Sequence, residues 1–296
     1  MIKIYIDGGA GTTGLALEER ILELAKTVAI ELLKITEALR KDVAERKKLL
    51  NQADVVFLCL PDAAAKESVA LIENPNTVII DASTAHRTHP EWTYGFPELS
   101  ADQFEKVATA NKIAVPGCHA TGFIALVYPL IQGGFIQPTD TLSCHSLTGY
   151  SGGGKEMIAD YEGEGVKPSV AWMYALDLNH KHLPEMKYLT GLEKAPLFVP
   201  VVVPVHKGMV VSIPLMADAN ELHQQLDCYY KGSTTIKVLK LGEQTSVTIE
   251  NDLAPDALEI GVFGTTTQAV VVARLDNLGK GSSGAAVQCM KVRLGL

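Results

Sequence analysis

The sequence predicts an α/β protein in which a doubly wound parallel sheet is followed by an α+β domain with a largely antiparallel sheet. Up to about residue 117 the chain alternates short apolar strands with helical stretches, which is the order that a parallel sheet requires. Beyond that point the strands are β-branched and rich in proline, and few long helices separate them. With 296 residues, the chain is long enough for two modest domains that each bury a core.

The composition is that of an acidic globular protein. Lys and Arg number 26 against 34 Asp and Glu, and the net charge of −8 argues against nucleic acid or an anionic membrane as the partner. The five cysteines are scattered without a CxxC pair, so neither a disulfide framework nor a zinc knuckle is indicated. No signal peptide precedes the first strand, and no apolar run reaches membrane-spanning length. We therefore expect a soluble, cytoplasmic protein that acts on a small molecule.

The first element is a strand over residues 2–6, which a glycine-rich loop joins to a helix over residues 15–24. The loop carries the pattern G-x-G-x-x-G in the residues Gly9, Gly11, Thr12, Thr13 and Gly14. Glycines at these positions allow a tight turn, so that the backbone can approach a pyrophosphate bound at the helix N-terminus. Strand, loop and helix together predict a dinucleotide site.

The end of the second predicted strand selects between the two nicotinamide cofactors. An acidic side chain there would bind the ribose 2′-hydroxyl of NAD and repel the 2′-phosphate of NADP. The residue at this point is Thr36, and a hydroxyl with Arg40 and Lys41 nearby suits NADP. Glu37 weighs against that choice, and a solvated helix face is the alternative for the whole charged run. We expect NADP.

Two further strands, over residues 54–60 and 78–81, continue the alternation with a helix between them. Residues 1–117 are therefore expected to form a dinucleotide-binding domain. The segment 81–87 leaves the sheet at the carboxyl end of a strand, where ligands bind in such folds. Arg87 at its end is a candidate for binding an anion, and a surface charge is the alternative.

A cysteine stands where the first domain ends. A strand over residues 113–115, the turn Pro116-Gly117, Cys118 and an apolar helix follow one another directly. This order places the Cys118 sulfur at a helix N-terminus, where the helix dipole favours the thiolate that attacks carbon. The alternative is an inert buried thiol.

The second domain is expected to contain strands over residues 139–147, 199–215, 245–249 and 262–273. A glycine-rich stretch, residues 149–155, ends at Lys155 and is either a flexible loop or an anion-binding turn.

Two histidines, His180 and His182, lie two residues apart on a stretch that we expect to be extended, and would then point to the same side. A metal site is conceivable, but no carboxylate or cysteine stands at ligand spacing to complete it. Either imidazole suits the general base that a cysteine nucleophile needs, and a solvent-facing or capping histidine is the alternative for each.

The chain closes with a turn-rich approach over residues 276–284 and a helix over residues 285–291. We expect this helix to pack back onto the first domain. The dinucleotide-binding domain then comprises residues 1–117 and 277–296, and a catalytic and oligomerisation domain comprises residues 118–276.

Six stretches are informative together: GAGTTG at 9–14, DASTAHR at 81–87, YGFPE at 94–98, PGCHAT at 116–121, HKHLPE at 180–185 and GKGSSGAA at 279–286. In this order they resemble the short form of the N-acetyl-gamma-glutamyl-phosphate reductases, within the semialdehyde dehydrogenase superfamily, over nearly the whole chain. The resemblance implies a Rossmann domain, NADP as cofactor and a homodimer or homotetramer. It also implies reduction of an acyl phosphate to a semialdehyde through a cysteine thioester, in arginine biosynthesis.

The resemblance also implies roles for individual residues. Cys118 corresponds to the nucleophile, and one histidine of the HKHLPE stretch to the acid/base, for which we take His182, with His180 orienting the substrate. Further residues are implied near the substrate's anionic groups or the cofactor, namely Arg87, Ser151 and Lys155 for the former and Gly279 and Gly281, in the segment 279–284, for the latter.

Three alternatives remain open from the residues alone. An aspartate-semialdehyde dehydrogenase, or another acyl-phosphate reductase, needs the same thiol, histidine and NADP. A non-catalytic NADP-binding protein would keep the fold but has no need of Cys118 beside a helix start or of the two histidines. A metal-dependent hydrolase lacks ligands in the sequence.

Overall fold

The glycine-rich N-terminal stretch folds as a strand, a loop and a helix, with β1 spanning Ile2–Asp7 and α1 spanning Thr12–Leu24. The computed structural model describes residues 1–163, 170–250 and 253–296. By their contacts these residues divide into two units, one of Met1–Pro116 with Ser282–Leu296 and the other of Gly117–Gly281.

The first unit contains a parallel sheet of six strands in the order β2-β1-β3-β4-β6-β5. After β1 these strands are β2 (Ile30–Leu33), β3 (Val55–Leu58), β4 (Val78–Asp81), β5 (Thr93–Tyr94) and β6 (Lys112–Ala114). The helices between them, after α1, are α2 (Val43–Gln52), α3 (Asp62–Leu71) and α4 (Ala101–Thr109).

Both faces of this sheet are covered. Successive residues of a strand point to opposite faces, and Val55 and Phe57 of β3 pack in one apolar cluster with Leu17 and Ile21 of α1. On the other face the neighbouring β3 residues pack in a second cluster with α2 and α3. Burial on both faces explains why the strands are almost continuously apolar, and it confirms the predicted doubly wound sheet.

The second unit contains a seven-stranded sheet in the order β11-β12-β13-β10-β7-β9-β8. Its strands are β7 (Ser143–Gly149), β8 (Trp172–Met173), β9 (Leu197–Val203), β10 (Met209–Leu215), β11 (Ile236–Val238), β12 (Leu258–Gly264) and β13 (Ala269–Leu275). Its helices are α5 (Cys118–Gln132), α6 (Gly154–Glu162), α7 (Leu183–Thr190) and α8 (Ala219–Tyr229). The pairs β7–β9 and β11–β12 are parallel and the other pairs are antiparallel, which agrees with the predicted α+β class.

Helix α5 is buried along most of its length because it packs against β10 and β13 of the second sheet and against α7 and α8. A Cβ added at Gly122 would come within 2.6 Å of Val211 on β10, so glycine lets the helix approach the strand closely. Pro129 inside the helix has no N–H to donate to the carbonyl of Ala125. The hydroxyl of Tyr230 donates to that carbonyl instead, at 2.8 Å. The break in the helical hydrogen bonds is thus repaired from a neighbouring element.

The chain ends in α9 (Gly284–Leu294), which belongs to the first unit. Ala285, Ala286 and Met290 of α9 pack in the same apolar cluster as the α1 face of the parallel sheet.

Several predicted elements of the second unit are wrong. The stretch 245–249 is not a strand; most of it is exposed, so its β-branched residues have no sheet face to pack on. The stretch 262–273 is not one strand but parts of β12 and β13, which pair as a hairpin. Helix α8 was not predicted, although its buried Leu222 and Leu226 have helical spacing and Asp218 caps it by accepting the N–H of Asn220.

Candidate active site

The site is built around the first turn of α5, which begins at Cys118. Gly117 precedes the helix in extended geometry and contributes no side-chain cap to it. The first N–H groups of an α-helix lack partners within the helix and carry the positive end of its dipole, so they favour negative charge on the sulfur. Cys118 is half-buried, whereas His119, Ala120 and Thr121 after it are buried. This accessibility favours the nucleophile over the inert buried thiol.

Three histidine rings cluster beside this turn. The ring centroids of His180 and His182 lie 5.4 and 5.5 Å from that of His119, and 4.8 Å from each other. The backbone N–H of His182 also donates to Nδ1 of His180 at 3.1 Å. Two predicted residues, His180 and His182, thus lie next to the residue that follows Cys118.

The expected extended conformation at these histidines is wrong. Residues 180–182 form a turn, and His182 is the residue immediately before α7. Pro184 near the start of α7 explains this, because proline is favoured in the first turn of a helix, where its missing N–H costs nothing. The turn, rather than strand alternation, brings the two rings together.

His119 is held by two hydroxyl groups. Its Nδ1 lies 2.7 Å from Oγ of Ser146 on β7, and its Nε2 lies 2.8 Å from the hydroxyl of Tyr174. Burial, together with the positive charges of His180 and Lys181, lowers the pKa of His119 to about 3. His119 is therefore neutral near pH 7 and does not act there as an acid.

Glu185 joins α7 to the Cys118 turn. Its carboxylate accepts the N–H of Gly117 at 3.1 Å, and only 1% of the residue is exposed. The contact fixes the residue that precedes Cys118 relative to the histidine turn.

A glycine turn packs against the cysteine from another direction. A Cβ added at Gly281 would lie 2.7 Å from Cβ of Cys118, and one added at Gly279 would lie 1.7 Å from the carbonyl oxygen of Pro255. Asp276 shapes the turn by accepting the N–H groups of Leu278 and Gly279. Close packing is thus sufficient reason for both glycines.

Ser151 is tied to the same turn. Nδ2 of Asn277 donates to its hydroxyl at 3.0 Å, while Oδ1 of Asn277 accepts the N–H of Gly208 at 2.8 Å. The predicted glycine-rich loop is folded: residues 150–153 form a 3₁₀ turn, and α6 follows at once. Ser151 is buried, whereas Lys155, in the first turn of α6, is exposed.

In the first unit, a cavity of about 790 Å³ opens beside the glycine loop. Gly8 has φ +89° and its added Cβ would lie 2.3 Å from the carbonyl oxygen of Cys59, while a Cβ at Gly14 would lie 2.6 Å from that of Gly8. The loop therefore needs glycine at positions 8 and 14, and Gly9 and Gly11 line the cavity. The hydroxyl of Thr12 is buried and makes no hydrogen bond within the ranges that the structure describes.

Charged residues also line this cavity. Glu37, Arg40 and Lys41 line it, and the predicted Thr36 is exposed directly before them. At the end of β1, Arg46 donates from Nη2 to the buried carboxylate of Asp7 at 2.8 Å. Arg46 was not predicted as part of this site, because only the fold brings α2 to β1.

Arg87 is buried, with 8% of the residue exposed, so the surface-charge alternative is wrong. Its Nε donates to the carbonyl of Val115 at 2.9 Å and its Nη2 to that of Ala82 at 3.1 Å. These carbonyls follow β6 and β4, so Arg87 lies where both strands end. The preceding His86 contacts the buried Asp81 at 2.6 Å through Nδ1.

The comparisons with known proteins agree with this arrangement. Residues 3–107 match the semialdehyde dehydrogenase NAD binding domain, and residues 118–277 match the semialdehyde dehydrogenase dimerisation domain. The N-acetyl-gamma-glutamyl-phosphate reductase 2 of Nostoc sp. is 42% identical over 317 residues, spanning 99% of this chain and 97% of that protein. The N-acetyl-gamma-glutamyl-phosphate reductase of Rhizobium meliloti is 43% identical, spanning 99% and 98%. The chain belongs to the N-acetyl-gamma-glutamyl-phosphate reductase family.

Solved structures outside this reductase family share its fold. The aspartate semialdehyde dehydrogenase II of Vibrio cholerae superimposes with a TM-score of 0.74 at 14% identity, covering 100% of this chain and 98% of that one. The Candida albicans aspartate semialdehyde dehydrogenase with NADP gives 0.69 at 17% identity, covering 100% of both chains. At such identity the likeness shows the fold alone.

The cavity beside the glycine loop suits the nicotinamide dinucleotide of the reductase family. The glycine packing, the buried Thr12 hydroxyl and the NAD binding domain match fit this class of cofactor. Within the described ranges no three His, Cys, Asp or Glu side chains gather as a metal ion would require. No helix in the part of the chain that the structure describes is long and apolar enough to span a bilayer.

Around Cys118, four residues were not predicted to belong to the site: Ser146, Tyr174, His119 and Glu185. Two of them had a usable signal, because His119 follows Cys118 and Glu185 lies in the histidine stretch. Ser146 and Tyr174 had none, since each is far from Cys118 in the chain.

Proposed function

We propose that this chain reduces N-acetyl-γ-glutamyl phosphate to N-acetylglutamate 5-semialdehyde with NADPH, releasing phosphate, in arginine biosynthesis. The observation that carries the proposal is Cys118 at the start of α5, with the rings of His180 and His182 packed against that of the next residue, His119. The substrate is supported by the names of relatives that are 42 to 43% identical over 99% of the chain.

Cys118 is the nucleophile of the first half-reaction. Its thiolate attacks the acyl carbon, a C–S bond forms, and the C–O bond to the phosphate breaks, which leaves a thioester and free phosphate. The helix N-terminus of α5 stabilises both the thiolate and the oxyanion of the tetrahedral intermediate. The closed packing of Gly281 against Cys118 limits the directions from which the acyl group can approach.

His182 moves the protons. It takes the thiol proton from Cys118 before the attack and returns a proton to the sulfur when the second intermediate expels it as the aldehyde forms. His180 orients the substrate, and its Nδ1 is already engaged by the N–H of His182. The neutral His119 is unsuited to this task, because its low pKa leaves it no proton to give near pH 7.

The cofactor residues are Gly9, Gly11, Thr12, Thr13, Gly14, Thr36, Arg40, Gly279 and Gly281. The glycine loop and the start of α1 hold the pyrophosphate, and Thr36 with Arg40 holds the 2′-phosphate that distinguishes NADP. Arg40 in the cavity wall supports NADP, although it also lies 3.5 Å from Glu37. When bound, the reduced cofactor supplies the hydride that converts the thioester carbonyl.

Arg87, Ser151 and Lys155 bind the anionic groups of the substrate. The burial of Arg87 where β4 and β6 end, and the tie of Ser151 to the turn beside Cys118, support their roles. Lys155 is exposed, so its charge can reach a ligand from α6.

Residues 1–117 with 277–296 form the dinucleotide-binding domain, and residues 118–276 carry catalysis and oligomerisation. A homodimer or homotetramer is supported by the match of residues 118–277 to a dimerisation domain. A reducing, cytoplasmic setting is supported by five cysteines that are all free thiols.

The reverse reaction tests this function. With phosphate and NADP, we expect absorbance of NADPH to rise with N-acetylglutamate semialdehyde but not with aspartate semialdehyde. Cys118→Ala should abolish the signal, and Cys228→Ala, at an exposed thiol on α8, should keep it. Turnover in Cys118→Ala would contradict the thioester, and turnover of only the aspartate compound would contradict the substrate.

A further inference from the structure

A polar chain runs through apolar surroundings beside the site. Ser146 is fully buried, His119 is 3% exposed, and the ring of Phe198 lies edge-on to His119 at 5.2 Å. The two ring nitrogens of His119 contact the hydroxyls of Ser146 and Tyr174, as described above. A buried imidazole held at both nitrogens has a fixed orientation, which is more than packing of the core requires.

We infer that His119 is a positioning residue of the acyl-transfer site: Ser146 and Tyr174 hold its ring so that it fixes the rings of His180 and His182 beside Cys118. The inference rests on the proposed function for the roles of the two later histidines. It goes beyond that function in assigning a task to Ser146, His119 and Tyr174.

Ring contacts connect His119 to both later histidines. It is far from both later histidines in the chain, yet its ring lies 5.4 Å from that of His180 in an edge-on arrangement and 5.5 Å from that of His182. Because His119 directly follows Cys118 on α5, its position is set by the same helical turn that sets the sulfur. The positions of the three rings are thus tied to the helical turn that carries Cys118.

The protonation state suits this task. Burial and the positive charges of His180 and Lys181 hold the pKa of His119 near 3, so the ring is neutral. A neutral imidazole donates from one nitrogen and accepts at the other, and hydroxyls can take either role. A charged ring in the same place would repel a protonated His180 or His182.

Tyr174 links the chain of hydrogen bonds to the histidine turn. Its ring lies 5.6 Å from that of His180, and its hydroxyl is anchored to His119. In the segment between Tyr174 and His180, Ala175 and Leu178 take φ values of +50° and +56°, which L-residues rarely adopt. A segment in such a conformation keeps its shape through contacts at its ends. The hydrogen bond of Tyr174 to His119 therefore helps to fix the position of His180.

Two variants test the inference, His119→Phe, which keeps a ring but loses both hydrogen bonds, and Tyr174→Phe, which loses one. We expect kcat for the semialdehyde to fall by about 10²-fold in His119→Phe and less in Tyr174→Phe, because small displacements of reacting groups have effects of this size. The KM for NADP should not change. In the double variant kcat should fall no further than in His119→Phe alone, because both changes break one chain.

A second readout needs no substrate. The rate at which iodoacetamide alkylates Cys118 depends on pH through the thiol and the histidines beside it, so its pH profile should shift in both variants. Tyr188→Phe is the matched control, since Tyr188 is 60% exposed on α7, and it should leave kcat and the profile unchanged.

The outcomes separate the two proposals. Folded His119→Phe and Tyr174→Phe proteins with the kcat and alkylation profile of the starting protein would overturn the positioning role. If His119→Phe does not fold by circular dichroism, Tyr174→Phe decides by the same two readouts, because its ring stays in place. If the unaltered protein does not turn over the acetylated semialdehyde while both variants shift the profile, the positioning role stands and the proposed substrate fails.

Discussion

Three kinds of contact surround the end of α5 that carries Cys118. Gly281 packs against its Cβ, Glu185 accepts the N–H of the residue before it, and the rings of His180 and His182 stand beside the residue after it. The first contact limits the space around the sulfur, the second fixes the backbone before it, and the third places the imidazoles to which we assign proton transfer. Reactivity at this cysteine therefore depends on residues that are distant from it in the chain.

Replacement of Gly281 tests how narrow this space is. In Gly281→Ala the new Cβ would lie 2.7 Å from Cβ of Cys118, so either the turn or the cysteine must shift. We expect kcat to fall by about 10²-fold, since a displacement of about 1 Å is enough for such a loss. Steady-state kinetics in the reverse direction measures it.

Gly134→Ala is the control for Gly281→Ala. Its φ of +76° makes alanine costly there too, but no atom lies within 4 Å of the new Cβ. A Gly281→Ala enzyme as active as the control would mean that the turn around residue 281 shifts to admit the methyl group while the Cys118 sulfur stays in place.

At the scale of elements, α5 depends on its neighbours for its own regularity. Pro129 leaves the carbonyl of Ala125 without its usual helical donor, and Tyr230, one residue beyond α8, supplies the missing hydrogen bond. The helix that presents Cys118 is thereby tied to α8, whose Gln225 also donates to the carbonyl of Pro129 at 2.9 Å.

Removal of the Tyr230 hydroxyl tests this tie. Tyr230→Phe leaves the Ala125 carbonyl buried without a donor, and we expect the free energy of unfolding to fall by about 1–3 kcal/mol. Urea unfolding followed by circular dichroism measures the loss, with Tyr188→Phe on the surface of α7 as the control. Equal stability of the two variants would show that the hydroxyl has no part in holding α5.

At the scale of the whole molecule, the proposed function assigns cofactor binding and acyl transfer to two sheets of different kinds. The parallel sheet is buried on both faces and holds the cofactor cavity at its strand ends. The mixed sheet supports α5 and the histidine turn, and it supplies Ser146 from β7.

The low pKa of His119 makes the stability of the folded chain depend on pH. The folded-state pKa of about 3 lies below the ordinary 6.5, so between these values the unfolded chain binds a proton that the folded chain does not. The stability due to a neutral His119 is thus present above about pH 6.5 and is lost as the pH falls toward 3, by up to about 1.4 kcal/mol per pH unit.

Urea unfolding from about pH 7 to pH 5 measures this dependence. We expect the free energy of unfolding to fall more steeply with decreasing pH in the unaltered protein than in His119→Phe, which cannot take up the proton. Parallel pH dependences would mean that folding does not lower the pKa of His119.

Local patterns predicted much of the fold and part of the site. The alternation of strands and helices, the glycine loop and the Pro116-Gly117 turn before Cys118 are signals within a few residues of each other, and the structure contains each of them. The weaker predictions fell in the second unit. There 245–249 has strand-forming residues but no partner strand. Helix α8 is stabilised by the burial of Leu222 and Leu226 in the folded chain.

The class of fold, the dinucleotide site and the cysteine at a helix start can all be predicted from the sequence, because strand, turn and helix preferences act over short stretches of chain. The surroundings of the cysteine become visible only in the folded chain. Gly281 against Cys118, Glu185 on Gly117 and the Ser146–His119–Tyr174 chain join residues from separate elements. Such contacts depend on how the second sheet pairs and packs, which no short stretch of sequence encodes.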